Sequence, residues 1–467
     1  MKFFVALLGV LAMAISADAG ASMHNPFFCY ATDTVRSMTN MGSVITSYEA
    51  IRRFNFTTVN PYMSTCTPSR FWYLGRYGSR LPHAPTLQSM IDFAESSIQD
   101  DIVRNYEAGR TTLCRQDFEM IRDFTLESDF GGIFRIENAG LLTESGIFAL
   151  QNISRRYQEV FPEIFPQTYE RSRFHFRHTG TPRTNVSIQA FATGLFGEVG
   201  AEGIVHEPIP EQDWFLRPFD FCPDFWEETA DWDRQTRAFE TGPEMLELIE
   251  QVNRKLGFNS QNELNFTQIL TMWNWCRFKI AATFEASNSE TGAHCPWCAP
   301  FSVAHHLLLE YYEDLSFFYA SGYGVRNQRM LENLSCGLIQ DLLNQMQSDN
   351  DGDTLARIFV SYSEEIQGML VALGAFRDLW PIHQHNFAQQ SGRHWLTSLI
   401  SPFSANLAAV RYDCEDGDVD LRFFLNERPI LVPGCDQQTG ACKLSTIVDR
   451  FQRFISADCS TFFCSTN

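Results

Sequence analysis

Apolar residues follow two different patterns in different parts of the chain. Phe71-Trp72-Tyr73-Leu74 and Arg357-Ile358-Phe359-Val360 are short runs rich in aromatic and β-branched residues, which predicts two buried strands. Three longer stretches instead place apolar residues at helical spacing, at 87–109, 242–258 and 301–324. Strand patterns therefore lie toward the two ends and helical patterns fill the middle. This distribution predicts an α/β fold with a mostly helical insertion.

A helix start is predicted directly after the second strand. Ser361 and Glu364 have the S-x-x-E spacing of a capping box, and the apolar residues that follow them recur at helical spacing. Another helix is predicted from about Thr184 to Phe196.

The N-terminus has the pattern of a secretory signal. Lys2 precedes a short apolar run that ends at Ala17-Asp18-Ala19, which predicts a signal peptide over residues 1–19 rather than a buried N-terminal helix. No internal stretch approaches the ~20 apolar residues that a membrane span requires, so no span is expected.

Cysteines and glycosylation sequons agree with export. The thirteen cysteines leave at least one thiol free or paired between chains. Five N-x-S/T sequons are present, at Asn55, Asn152, Asn185, Asn265 and Asn333. We therefore predict a secreted, extracellular glycoprotein that contains disulfide bonds.

The net charge of −20 bears on the class of ligand. A field of this sign repels nucleic acid and anionic membrane surfaces, so neither is an expected partner. An anionic small molecule would have to be captured locally, which directs attention to where the arginines lie.

Arginines cluster around a glycine directly after the first predicted strand, in Arg76-Tyr77-Gly78-Ser79-Arg80-Leu81-Pro82. Two guanidinium groups placed this way could converge on one oxyanion, although the same spacing also suits exposed salt bridges. Arg183 precedes the helix predicted from Thr184, where an anion would meet free N–H groups, or where an arginine could simply flank a helix.

These segments carry a family resemblance. RYGSRLP resembles the RHGxRxP signature of the histidine acid phosphatases, and TPRTNVSIQAFATGLF resembles the stretch in which that family keeps its third phosphate-binding arginine. SYSEEI resembles the HAE motif of the multiple inositol polyphosphate phosphatase (phytase-like) branch, and residues 295–324 resemble that branch's SPWC, EYxEDL and GYG segments. The resemblance covers nearly the whole chain after the signal peptide, in the expected order.

The resemblance implies a fold with two parts. One is a central mixed sheet flanked by helices, assembled from residues 20–90, 170–215 and 345–467. The other is a mostly helical cap, inserted as residues 91–169 and 216–344.

The resemblance also implies roles for individual residues. In the family, a histidine attacks phosphorus, three arginines and a second histidine hold the phosphoryl oxygens, and an acid protonates the leaving group. The phosphate-clamp positions here are occupied by Arg76, Arg80 and Arg183, and the proton-donor position by Glu364.

Tyrosine stands in both histidine positions, because Tyr77 occupies that of the nucleophile and Tyr362 that of the second histidine. A phenol with a pKa of about 10 is almost wholly protonated at neutral pH and is a weak nucleophile. Catalysis is therefore expected to be lost or severely impaired, while the arginine clamp can still bind.

Other histidines offer weaker alternatives. His83 could replace the nucleophile, but it follows Pro82 and would need a different loop path to reach the same phosphorus. His175 and His178 are assigned to the strand and loop before Arg183. The adjacent pair at 305 and 306 faces different directions on a helix, which disfavours a shared metal site.

The spacing Cys295-Pro296-Trp297-Cys298 suits a redox or zinc site, but no second C-x-x-C accompanies it and only Cys298 matches the SPWC pattern. Structural disulfides are favoured instead, with two candidate pairings, of Cys435 with Cys442 and of Cys66 with a C-terminal cysteine such as Cys414. No metal and no cofactor are predicted.

Three functions remain open at this point. The first is a secreted pseudophosphatase that binds a phosphorylated small molecule, such as an inositol phosphate or another phosphomonoester. The second is an active acid phosphatase or phytase with an altered nucleophile, which the loss of both histidines disfavours. The third is a glycosylated interaction scaffold without a phosphate ligand, which the intact arginine triad disfavours. The sequence does not indicate an oligomeric state.

Overall fold

The computed structural model of the protein describes residues 27–33, 40–52, 65–127, 132–283, 295–350 and 352–465. The predicted signal peptide, residues 1–19, and the sequon at Asn55 lie outside these ranges.

The described residues contain seven strands, β1 Cys66–Arg76, β2 Phe174–His178, β3 Ala356–Ser361, β4 Asn406–Cys414, β5 Val419–Leu425, β6 Arg428–Pro429 and β7 Ala441–Lys443. They form one mixed sheet, in the order β2-β3-β1-β4-β5-β6 with β7 paired to β5. β1 and β2 each run parallel to β3, whereas β4 runs antiparallel to β1. The carboxyl ends of β1, β2 and β3 therefore meet at one edge of the sheet.

Both predicted strands are confirmed as central parts of longer ones. β1 extends five residues before Phe71 and two after Leu74, and it is fully buried from Phe71 to Arg76. It pairs with β3 on one side and β4 on the other, so it has no exposed edge. A continuous apolar run, rather than alternation, is the pattern of a strand covered on both faces.

The helices that the structure describes include those predicted. The pattern at 87–109 is two helices, separated at Glu95–Ser97, and the patterns at 242–258 and 301–324 are one helix each. In chain order the helices are α1 Tyr48–Arg52, α2 Ala84–Ala94, α3 Ile98–Glu107, α4 Arg115–Arg122, α5 Glu144–Val160, α6 Pro182–Glu202, α7 Pro223–Glu228, α8 Arg234–Glu240, α9 Pro243–Leu256, α10 Phe266–Thr283, α11 Val303–Ser321, α12 Gln328–Leu334, α13 Cys336–Gln347, α14 Ser363–Leu373, α15 Thr397–Ile400, α16 Leu444–Arg450, α17 Gln452–Ile455 and α18 Cys459–Phe462. None of these described helices is both long and apolar enough to cross a bilayer.

Helices cover both faces of β1. On one face, the Phe71 ring lies 5.1 Å from that of Tyr157 in α5, and the Tyr73 ring lies 4.7 Å from that of Phe191 in α6. On the other face, Trp72 Nε1 donates to Asp341 of α13 at 2.9 Å. Phe71 and Tyr73 face one side of the sheet and Trp72 faces the other, because successive side chains of a strand point to opposite faces. Helices α5 and α13 lie in segments expected to belong to the cap, yet both pack directly on the sheet.

Six disulfides use twelve of the thirteen cysteines. The pairs Cys66–Cys414 and Cys435–Cys442 are confirmed. Cys298 is bonded to Cys276 rather than to Cys295, which is a buried thiol, so the C-x-x-C segment forms no internal disulfide. The remaining bonds are Cys29–Cys114, Cys222–Cys464 and Cys336–Cys459.

The described sequons differ in their exposure. Asn185 and Asn265 are exposed, and Asn152 is half-buried. Asn333 is fully buried, and its amide nitrogen donates to the carbonyl of Ser465 at 2.9 Å. The fold leaves no room for a glycan at Asn333, contrary to the prediction for that sequon.

Candidate active site

The predicted site residues lie at one edge of the sheet because each follows the carboxyl end of a parallel strand. β1 ends at Arg76, β2 ends at His178, and β3 ends at Ser361. Loops that leave neighbouring parallel strands in opposite directions open a crevice between them, which is the usual place for a ligand in such sheets.

Gly78 fixes the loop after β1. Its N–H donates to Ser187 Oγ of α6 at 3.1 Å, and a Cβ at this position would lie 2.6 Å from the carbonyl oxygen of Gly146 in α5. No side chain fits at so short a distance from backbone, so glycine is required here. The contact holds the loop between Arg76 and Arg80 against two helices.

Arg76 is held rigidly, with only 2% of its surface exposed. Its Nη1 donates to the carbonyls of Val44 and Ser401, and its guanidinium carbon lies 4.6 Å from the ring centroid of Phe403. Its Nη2 donates to the Tyr77 hydroxyl at 3.5 Å.

Tyr77 lies at the centre of the three predicted clamp residues. The guanidinium carbons of Arg76, Arg80 and Arg183 are 5.0, 5.6 and 5.0 Å from its ring centroid. Arg80 Nε donates to the Tyr77 hydroxyl at 3.3 Å, and Arg183 lies 4.9 Å from the ring of Tyr362. Sequence positions more than a hundred residues apart thus converge, and each arginine gains a cation–π contact with a tyrosine.

These three arginines have no carboxylate partner in the part of the chain that the structure describes. The Nε atoms of Arg76 and Arg183 are also buried without a hydrogen-bond partner there. In contrast, the buried Arg393 is paired with Asp314 at 2.6 Å. A buried cation without a partner is costly, and guanidinium groups bind oxyanions strongly, so the arrangement suits an anion.

The environment shifts the ionisation of Tyr77. Burial raises the pKa of the phenol, but the adjacent charges of Arg76 and Arg80 and their hydrogen bonds outweigh burial and lower this pKa to about 8. The phenol is therefore mostly protonated at neutral pH and becomes a phenolate above pH 8.

Two helices begin at the site. α6 starts at Pro182, which places Arg183 in its first turn, and α14 starts at Ser363. The free N–H groups and dipoles of both helix ends favour an anion here. Thr179, in the loop before α6, donates from its hydroxyl to that of Tyr362 at 3.2 Å.

The capping box predicted for Ser361 and Glu364 is wrong by one residue. Ser361 is the last residue of β3, and its hydroxyl donates to the carbonyl of Leu216. Tyr362 is the N-cap, and its N–H donates to the carboxylate of Glu365 at 3.3 Å. Glu364 is therefore not used in the cap and lines the pocket, where it accepts from the Ser363 hydroxyl at 2.9 Å.

A pocket of about 580 Å³ opens over these residues. Arg76, Tyr77, Arg80 and Glu364 line its floor, and α8, α10 and α11 supply its walls. Arg183 is not part of this lining, because its guanidinium lies against the two tyrosine rings. Four of the predicted site residues thus face the pocket directly.

The structure places His83 in the same pocket. It is the N-cap residue of α2, and its Nε2 lies 3.2 Å from the Thr86 hydroxyl. Burial, together with the charges of Arg80 and Arg183, lowers the pKa of its imidazole.

The four other histidines weighed in the sequence have hydrogen-bond or ion-pair partners outside the pocket. His175 lies 2.9 Å from Glu207, and His178 Nδ1 accepts from the N–H of Gly180. His305 bonds to Gln251 and His306 accepts from the indole of Trp273, so this pair faces different directions as predicted.

Sequence reasoning missed the residues of the pocket wall. This wall is lined by Asp233, the N-cap residue of α8, by Glu240 of α8, and by Tyr312 and Glu313 of α11. Helix α11 and its EYYEDL segment were recognisable in the sequence, but helical spacing alone does not show which face of the helix meets the edge of the sheet.

The family model of the histidine phosphatase superfamily (branch 2) matches residues 73–426, a range that includes every clamp residue and both tyrosines. The chain belongs to branch 2 of this superfamily.

Two curated animal relatives have sequences similar to this chain. The chain is 30% identical over 448 residues to multiple inositol polyphosphate phosphatase 1 of Drosophila melanogaster, a match that covers 94% of this chain and 90% of the relative. The human protein of the same name is 27% identical over 312 residues, which cover 62% of this chain and 61% of that protein.

Solved structures share this fold at low sequence identity. The phytase from D. castellii superimposes with a TM-score of 0.69 at 15% identity, covering 90% of this chain and 86% of that one. The multiple inositol polyphosphate phosphatase of Bifidobacterium longum, in complex with inositol hexasulfate, gives 0.64 at 13% identity, covering 88% and 97%. The expected mixed sheet flanked by helices is confirmed.

Proposed function

We propose that this chain is a secreted pseudophosphatase that binds a phosphorylated small molecule and hydrolyses it very slowly. One observation carries the proposal: three arginines without carboxylate partners among the described residues converge around Tyr77, in a protein of net charge −20. An anion is the partner that this arrangement lacks.

Weak catalysis follows from the chemistry of the phenol. With a pKa of about 8, only about a tenth of Tyr77 is ionised at pH 7, and a phosphotyrosine, if formed, would be a stable ester. Tyr362 in the second histidine position has no basic nitrogen and accepts a hydrogen bond from Thr179. Loss of a covalent nucleophile alone costs on the order of 10⁴-fold in kcat.

Phosphate release from inositol hexakisphosphate and from an aryl phosphate, across acid and neutral pH, tests the proposal. We expect turnover at least ~10³-fold below that of a relative with both histidines. Combining Tyr77→His with Tyr362→His should raise turnover by at least ~100-fold, because it supplies an imidazole nucleophile inside an existing clamp. Tyr169→His, outside the pocket, is the matched control. Wild-type turnover within tenfold of the relative would contradict the proposal.

A second candidate is an active phosphomonoesterase that uses His83. The observation in its favour is that His83 lines the pocket beside Arg80, with a lowered pKa that keeps its imidazole neutral and nucleophilic at neutral pH. Trapping of a phosphoenzyme, followed by its loss in His83→Ala, would establish this function in place of the first.

The ligand class and the route of export belong to the same proposal. Inositol phosphates are candidate ligands, since relatives are named for inositol polyphosphates and one solved neighbour holds inositol hexasulfate.

Six disulfides and the N-terminal pattern support secretion, with glycans at Asn152, Asn185 and Asn265. Should no phosphomonoester bind, the glycosylated scaffold is the function that remains.

A further inference from the structure

The walls of the pocket carry the opposite charge to its floor. The side formed by the helices is lined by Asp233, the N-cap residue of α8, by Glu240 of α8 and by Glu313 of α11. Arg237 pairs with Asp233, and Arg277 pairs with Glu313 at 2.6 Å, so these four charges cancel. Glu240 has no such ion pair among the described residues and leaves the wall negative. No lysine lines the pocket among the residues that the structure describes.

The balance of charge suits one phosphate. Four arginines and four carboxylates line the pocket, and Arg183 adds one positive charge at the tyrosines. The unpaired positive charge is confined to the floor, where the buried Arg76 has an Nε without a partner. A second or third phosphate on the same ligand would lie against a wall whose described arginines are already paired and whose remaining charge, on Glu240, repels it.

The rest of the wall suits a polyol. Glu240 offers carboxylate oxygens to hydroxyl groups, and Thr236 and Ser316 can donate or accept. Asn274 offers its amide nitrogen, because its Oδ1 already accepts two hydrogen bonds from Arg277. Tyr312 and Trp232 add aromatic surface, and the Trp232 indole is 39% exposed. A few polar groups beside aromatic surface are the usual lining of a small-molecule site.

We propose that the pocket selects a sugar or polyol that carries a single phosphate and discriminates against polyphosphates. This rests on the proposed function, since it assumes that the arginines of the floor hold that phosphate. The hydroxyls of the ligand then face Glu240 and its neighbours, and the acidic wall excludes further phosphates.

Titration calorimetry at physiological ionic strength tests this with myo-inositol monophosphate, inositol hexakisphosphate and inorganic phosphate. The monophosphate should bind at least as tightly as the hexakisphosphate. Glu240→Gln should lower the affinity for the monophosphate about three- to tenfold, because a hydrogen bond to a charged carboxylate is replaced by a weaker one to a neutral amide, and it should raise the affinity for the hexakisphosphate. Glu227→Gln, an exposed acid on α7, is the matched control and should change neither.

Two results would overturn the inference and leave the proposed function intact. One is hexakisphosphate binding more than tenfold tighter than monophosphate binding in wild type. The other is a folded Glu240→Gln in which both affinities are unchanged. If none of the three ligands binds, the inference and the proposed function fail together. If Glu240→Gln does not fold, the comparison of the three ligands in wild type decides by itself.

Discussion

The ionisation of Tyr77 should make phosphate binding sensitive to pH. Its hydroxyl accepts hydrogen bonds from Arg76 and Arg80, the same groups that would hold a phosphate. With its pKa at about 8, a phenolate forms above that pH and places a negative charge inside the clamp. A phosphomonoester has a second pKa of about 6, so it is a dianion throughout this range and its own charge is constant. Affinity should therefore fall as the pH rises above 8.

The size of the effect follows from linkage. If the dianion binds only the protonated phenol, the apparent Kd rises about tenfold per pH unit above 8, so roughly thirtyfold by pH 9.5, or about 2 kcal/mol. A phosphate oxygen that shares two guanidinium groups with the phenolate would lie ~4 Å from it, where two unit charges repel by ~4 kcal/mol at an effective dielectric constant of 20. This repulsion exceeds the loss of about 2 kcal/mol in binding free energy, so the full tenfold rise in Kd per pH unit should be observed.

Calorimetric titration of wild type with glycerol phosphate between pH 7 and 9.5 measures the effect. Tyr77→Phe should show a flat profile, because it keeps the ring between the arginines but has no ionisable group. Arg80→Ala should weaken binding at pH 7 by roughly 1.5–3 kcal/mol, and ultraviolet titration should show that it raises the pKa of Tyr77. A flat wild-type profile, or an equal fall in Tyr77→Phe, would refute the reasoning.

Two further predictions concern the loop after β1 and export. Gly78→Ala should lower the free energy of unfolding by about 1–3 kcal/mol in denaturant titrations, because its Cβ would lie 2.6 Å from the backbone of Gly146. Gly392→Ala is the control and should leave that free energy unchanged, since its Cβ would meet no described atom within 4 Å. Protein expressed in animal cells should be recovered from the medium starting at Gly20, and Asn265→Gln should lower its glycan mass while Asn333→Gln should not. Retention inside cells with Met1 intact would contradict the second prediction.

The central strands and the arginines were predictable because local chemistry marks them. A buried strand that ends in a glycine turn between two arginines is visible in Phe71–Arg80 without any structure. The family resemblance assigned the third clamp position to Arg183 and the proton-donor position to Glu364, whose distance from Arg76 along the chain hides their proximity to it in the fold.

The pocket wall was not predictable, because long-range packing decides it. Glu240 lies on a helix of seven residues, and nothing in its local sequence says that this helix faces Arg80. The shift of the capping box has a similar cause: Ser361 is drawn into β3 by pairing with Arg76, which moves the helix start by one residue. The role of α5 on the sheet also depends on contacts with Phe71 that a helical pattern does not reveal.

The bond between Cys66 and Cys414 has a consequence for the lifetime of the protein. These two cysteines are opposite each other on β1 and β4, 348 positions apart in sequence. A protease that cuts the backbone once anywhere between them leaves a single covalent molecule. Such a nicked chain migrates at full mass without reductant and as two fragments with it. The strand that ends in Arg76 also stays beside its neighbour, so damage in the middle of the chain need not release either half.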